Sequence, residues 1–180
     1  MIFYEKIHYY LKNIAYFLIL FLIFIFTILY LLKIFDNNLV PKSSNDRVDS
    51  YIPYGAEAYL QYEKVFNVKL LRNNNGVVDF RYTKARNNQI DAFRHAYVSG
   101  VFAKKYGKAI AKIFGNCKEF WDDIFYNQTS QEKNMDYWNN SIGRRYGIKS
   151  DNYDDLALKL KIAIDNKELI IDINDKRIFK

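Results

Sequence analysis

Cysteine, proline, glycine and histidine are all scarce in this 180-residue chain, which has one Cys, two Pro, seven Gly and two His. A lone cysteine, Cys117, excludes an internal disulfide framework. So few prolines and glycines exclude collagen-like and Pro/Gly-rich disordered chains. The histidine and cysteine count also falls short of a structural zinc site. His8 precedes a long apolar stretch, so His95 is the one histidine of the polar part. In their place stand 16 Tyr and 14 Phe, and 27 Lys and Arg against 20 Asp and Glu for a net charge of +7. Half of the residues are hydrophobic, yet mean hydropathy is slightly negative, so the apolar residues are unevenly distributed.

They concentrate between Ile14 and Leu32, where 19 consecutive residues contain no charge, Gly or Pro. As a helix this run covers roughly 28 Å, close to a hydrocarbon core of about 30 Å. Lys12 and Lys33 bracket it, and Tyr9, Tyr10, Tyr16 and Tyr30 are placed for an aromatic belt. A signal peptide is the competing assignment, but the run exceeds the usual apolar segment of about 7–15 residues. Leu31-Leu32-Lys33-Ile34-Phe35 also offers no small-residue cleavage site. A buried core helix would carry a polar stripe. The expectation is a tail over 1–13, a single-pass transmembrane anchor over 14–33 and a polar linker over 34–49. The cell membrane is then the partner and location, with the carboxyl-terminal domain on the non-cytoplasmic side.

Residues 50–180 suit one domain. With the first 33 residues set aside, the rest of the chain carries 24 basic and 19 acidic residues, net +5. No zinc-finger spacing, basic zipper or RNP-type motif accompanies the charge, which argues against nucleic acid as a partner. Helical spacing predicts helices over 54–66, 88–106, 108–125, 129–147 and 152–165. Thr129-Ser130-Gln131-Glu132 fits a capping box, and Asp151 is placed to cap the last helix. Residues 77–82 and 168–173 read as extended. The fold class expected is all-α, a mainly helical bundle-like domain preceded by one transmembrane helix.

Three helices place polar side chains on common faces. Asp91 and His95 are four apart, Glu119 precedes Asp122 and Asp123, and Asp136 precedes Asn139 and Asn140 at three- and four-residue steps. Imidazole and carboxylates hold divalent cations, and bundles build such sites from facing helices. With one histidine the site is oxygen-rich, suiting Mg, Mn or Ca better than structural zinc. A His–Asp pair acting as general base on water is the alternative chemistry. An i,i+4 pair on a solvated face and simple helix capping are the structural alternatives.

The stretch Gln89-Ile90-Asp91-Ala92-Phe93-Arg94-His95-Ala96-Tyr97 and the later Met135-Asp136-Tyr137-Trp138-Asn139-Asn140-Ser141-Ile142-Gly143-Arg144 together resemble an uncharacterised bacterial and phage domain family. That family has a D-A-F-R-H-A helix and an M-D-x-x-N-N-x-x-G helix, and it also occurs at the carboxyl ends of Rhs-type secreted proteins. The resemblance covers about residues 89–147. The family often has a His-Glu pair between these motifs, whereas here Lys118 stands before Glu119. The resemblance implies that Asp91, Arg94, His95, Glu119, Asp136, Asn139 and Asn140 form one polar centre. His95, Asp91, Asp136 and Arg94 are its candidate catalytic residues, and Asn139 and Asn140 its candidate binding residues. Asp91, His95, Glu119 and Asp136 are the candidate ligands of a divalent metal ion. The functional expectation is a membrane-anchored hydrolase or effector-like domain. A non-catalytic binding or structural protein with a buried hydrogen-bond network is the alternative.

Overall fold

The computed structural model describes residues 16, 19, 21, 48–49, 54–72, 74, 78–79, 85–126 and 128–179, and of 48–49, 79 and 121–126 the backbone alone. The chain divides into two compact units, Met1–Val40 and Pro41–Lys180. In the first, Tyr16, Ile19 and Phe21 are helical and exposed.

The second unit is all-α. Its helices are α1 (Gly55–Phe66), α2 (Gln89–Tyr106), α3 (Lys108–Tyr126), α4 (Ser130–Gly147) and α5 (Tyr153–Asp165), followed by a 3-10 turn at Lys176–Phe179. Extended structure among the described residues amounts to a parallel pairing of β1 (Val48–Asp49) with β2 (Val78–Asp79) and one bridge between Arg72 and Val78. The extended segment expected over 77–82 thus contributes two paired residues, and the last two residues of the expected linker are its partner.

One expectation is corrected. Among the described residues no helix is long and apolar enough to cross a membrane. A spanning helix needs about 20 consecutive apolar residues. The longest helix here, α3, has 19 residues and carries Lys108, Lys112, Lys118 and Glu119 along its length. Apart from the three positions named above, the anchor expected over 14–33 lies outside the described residues. The single-pass membrane location is therefore not retained.

Local signals start the helices. The Asn88 side chain accepts from the backbone N–H groups of Ile90 and Asp91 to begin α2. The Thr129/Glu132 capping box forms and begins α4. Asn152, one residue later than expected, caps α5 through Asp155. Its neighbour Asp151 instead donates its backbone N–H to the Asp155 carboxylate.

Helix α2 is the centre of the domain, buried from Ala92 and Phe93 through Ala96, Tyr97 and Val101. Against it α1 packs an aromatic layer, with Tyr62 edge-on to Phe93 at 5.4 Å and Tyr54 edge-on to Phe102 at 5.7 Å. Leu156, Ala157, Leu160 and Ala163 of α5 are fully buried. The tightest contact is between α2 and α4. A Cβ on Gly143 would lie 1.9 Å from the Ala96 carbonyl oxygen, and one on Gly147 would lie 2.1 Å from that of Gly100. The two helices touch backbone to backbone. Ala96 opposite Gly143 and Gly100 opposite Gly147 run in the same order, so α2 and α4 are parallel. Glu119 lies near His95 and Phe114 near Phe102, so α3 returns antiparallel between them.

Residues 168–173, expected as a strand, form none. The buried Asn139 side chain donates to the Ile170 carbonyl at 2.8 Å and accepts from its N–H at 2.9 Å. One amide thus satisfies both backbone groups that a neighbouring strand would have taken. Trp138 Nε1 and Asn134 Nδ2 bind the carbonyls of Glu168 and Ile178, fastening the tail to α4.

Candidate functional site

The close approach of α2 and α4 brings two rows of polar residues together, each advancing one helical turn per step. On α2 the row is Asp91, His95, Ser99; on α4 it is Asp136, Asn140, Arg144; α3 adds Gly115 and Glu119 from the third side. All of these side chains are buried except at Gly115, which has none and is half-buried.

His95 is the hub. Its Nε2 lies 3.3 Å from Asp136 Oδ1 and 3.6 Å from Asp91 Oδ1, and its Nδ1 lies 3.7 Å from Glu119 Oε1. Arg94 Nη2 donates to Asp91 Oδ1 at 2.6 Å and meets His95 Nε2 at 2.9 Å. A guanidinium only donates, so Nε2 is the accepting nitrogen, and the ring proton sits on Nδ1, facing Glu119. At 3.7 Å that last contact is electrostatic rather than a hydrogen bond.

The carboxylates are held from behind. Asp91 Oδ2 accepts the backbone N–H of Asn87 at 2.8 Å, and Asp136 Oδ2 accepts Gln128 Nε2 at 2.9 Å. Glu119 Oε1 accepts Asn140 Nδ2 at 3.2 Å and lies 3.9 Å from Lys118 Nζ. Lys118, where the resemblance leads one to look for a second histidine, therefore places a cation at the edge of the carboxylates. Gln128 Oε1 and Arg94 Nε are buried without a hydrogen-bond partner.

Burial, with Arg94 and Lys118 close by, holds the His95 pKa well below its usual value, so the imidazole is neutral at pH 7. Burial also raises the Asp136 carboxyl well above the carboxylate range, and the neighbouring Glu119 and Asp91 charges push the same way. Three carboxyl groups face one guanidinium and one ammonium. The centre is balanced when Asp136 holds a proton and one charge too negative when it does not, which is the condition that invites a cation.

One ligand atom each from Asp91, His95 and Asp136 lies within 4.8 Å of the others, all three residues buried. This is a cation-binding constellation in shape. Glu119, the fourth candidate ligand, stands behind the histidine on the Nδ1 side, where a carboxylate orients a ligating imidazole. Arg94 Nη2 touches two of the three ligands.

The sequence-derived residues are thus brought together with one exception. Asn139 faces another side of α4, where both of its amide groups are committed to Ile170. Asn140 does join the centre through Glu119. The side chains of Asp122 and Asp123 lie outside the described residues. Gln128, Ser99 and Arg144 were given no role from sequence. The last two follow from continuing the four-residue step one turn beyond His95 and Asn140.

No curated protein and no solved structure matches this chain. Residues 60–169 match the domain of unknown function DUF6973, and since that match spans more than half of the chain, the protein belongs to the DUF6973 family.

Proposed function

We propose that the domain is a divalent-cation-dependent hydrolase centred on Asp91, His95 and Asp136. The observation that carries this reading is the buried convergence of those three ligand atoms within 4.8 Å of one another. Bound there, a divalent cation supplies Lewis acidity and lowers the pKa of water at its open positions. His95 offers the Nε2 lone pair, and Asp91 and Asp136 offer one Oδ each. Glu119 orients the imidazole from Nδ1. For the ligands to close, Arg94 Nη2 must withdraw from Asp91 and His95, which sets the guanidinium free to meet developing negative charge at the rim. The motif-level resemblance to domains ending Rhs-type secreted proteins supports an effector-type hydrolase by analogy.

A second reading rests on the same Arg94 contacts. With Nη2 seated on Asp91 and His95, the cluster is a closed polar network that fixes how α2, α3 and α4 pack, with no catalytic role.

Divalent-metal content of the full chain separates the two. The hydrolase reading expects near-stoichiometric uptake of one ion from a panel of Mn, Mg, Ca and Zn, lost in His95→Ala and Asp136→Asn while both variants stay folded. No uptake by wild type, together with strong destabilisation of both variants, would refute it in favour of the network.

A further inference from the structure

The polar rows continue past His95 to a group that the cation centre leaves unused. Arg144, on the turn after Asn140, is 7 % exposed, and among the described residues no carboxylate lies within ion-pair distance of it. Its one hydrogen bond runs from Nη1 to Ser99 Oγ at 3.2 Å. Burial pulls its pKa down from the usual arginine value, and no neighbouring charge acts in the opposite direction. A buried guanidinium ordinarily has a carboxylate fork opposite it, because an unpaired buried charge is costly. The other described arginines each have a carboxylate: Arg72 pairs with Glu63, Arg86 with Glu132, Arg94 with Asp91, Arg145 with Glu168 and Arg177 with Asp175.

The surroundings suit an anion. Ser99 supplies a hydroxyl, and Asn140 an amide with a second N–H beyond the one given to Glu119. On the α3 side stands Gly115, where a Cβ would lie 3.7 Å from Arg144 Nη1 and 3.8 Å from Asn140 Nδ2. Gly115 sets no side chain of its own against either donor. Ser99 is a single turn from His95 on the same helix, about 6 Å along the axis.

We infer that Arg144, with Ser99 and Asn140, forms a pocket for an oxyanion group, phosphate or carboxylate, carried by the substrate about one helical turn from the bond to be cleaved. This rests on the hydrolase reading for the word substrate, but the pocket itself is tested without turnover. Arg144 is then a binding residue whose charge is paired when the ligand arrives.

Thermal unfolding of the full chain against rising inorganic phosphate, and separately acetate, at fixed ionic strength is the test. Wild type is expected to show a saturable rise in Tm. Arg144→Met is expected to melt above wild type without anion, since it removes an unpaired buried charge, and to show no rise. Arg144→Lys is expected to respond more weakly, having lost the fork. A response to phosphate alone assigns phosphate esters, and a response to both anions assigns oxyanions generally. No saturable rise in wild type, or an Arg144→Met variant that melts below wild type or fails to fold, overturns the pocket. Metal uptake by wild type separates this from the cation centre: a phosphate response that is lost in Arg144→Met, in a wild type that takes up no metal, sinks the hydrolase reading and leaves the pocket standing. Metal uptake without any phosphate response sinks the pocket alone.

Discussion

Substituting Gly143 by alanine tests whether the backbone contact between α2 and α4 is what assembles the centre. The added methyl would sit 1.9 Å from the Ala96 carbonyl oxygen and 2.6 Å from its carbon, both backbone atoms that cannot rotate aside. Ordinary contact begins near 3.4 Å, so the helices must separate by about 1.5 Å at that point. Overpacking of this kind costs about 1–3 kcal/mol and more when backbone must move, while alanine regains about 1 kcal/mol of helix propensity. With the cost at the upper end, the net expectation is a loss of about 2 kcal/mol, or a Tm lower by roughly 6–10 °C for a domain of this size. The same separation, transmitted along α4, would open the 3.3 Å approach of His95 to Asp136 by a comparable distance. Metal uptake should therefore weaken together with stability. Calorimetric unfolding and a metal titration on one preparation check both. If the glycine served only the helix's flexibility, alanine would stabilise by up to about 1 kcal/mol. A Tm at or above wild type with unchanged metal affinity would refute the close-approach argument.

Three further outcomes are expected. The Glu132 carboxylate, held by Asn87, Thr129 and Arg86, has its pKa lowered from 4.5 to about 2 in the fold. That difference corresponds to roughly 3 kcal/mol, present above pH 4.5 and lost as pH falls towards 2; Glu132→Gln should flatten stability across this window in acid unfolding, and an unchanged pH profile would contradict it. Asn139→Ala leaves the buried N–H and C=O of Ile170 unpaired, a loss of about 2–4 kcal/mol, and should expose residues 168–179 to limited proteolysis; a tail as protease-resistant as wild type would show that the clamp is dispensable. Arg94→Met removes the guanidinium from Asp91 and His95, and calorimetric titration should show Mn affinity rising about tenfold or more; a fall instead would mean that Arg94 supports the ligands rather than competing with a cation.

What was legible in the sequence is what is carried by neighbours along the chain. The Thr129–Glu132 box starts α4 because capping involves residues two or three positions apart. Asp91 with His95, and Asp136 with Asn140, share faces through helix geometry alone, so the two rows that meet could be written down before any packing was known. What was not legible depends on a third element. Residues 168–173 are rich in isoleucine and read as extended, but strand propensity is realised only against a partner, and here the partner is one asparagine side chain. Asn139 and Asn140 are adjacent in sequence, about 100° apart around α4, and face different partners, one the tail and one the centre. Arg94 follows the same logic: its Cα is off the Asp91–His95 face, and only the length of its side chain brings Nη2 back to it. The expected anchor over 14–33 rested on the length of the apolar run and on its flanking Lys and Tyr residues.

The balance of costs along α2 and α4 favours function over packing as the reason for the centre. These helices already approach through Ala96, Gly100, Gly143 and Gly147, a contact that needs no polar residue to fix it. A domain selected for stability alone gains by filling the remaining space with apolar side chains, since replacing buried ionic groups in this way is often neutral or stabilising. This chain instead buries Asp91, His95, Glu119 and Asp136 at one level and, a turn away, Arg144 without an anion. The two features are opposite in charge need: one end lacks a positive charge whenever Asp136 is ionised, and the other lacks a negative one. A closed network would have let them cancel, because Asn140 already touches Glu119 and shares the flank of Gly115 with Arg144. Keeping them apart on neighbouring turns is costly in the free protein and makes sense when each is matched by something that binds, a cation at His95 and an oxyanion at Arg144.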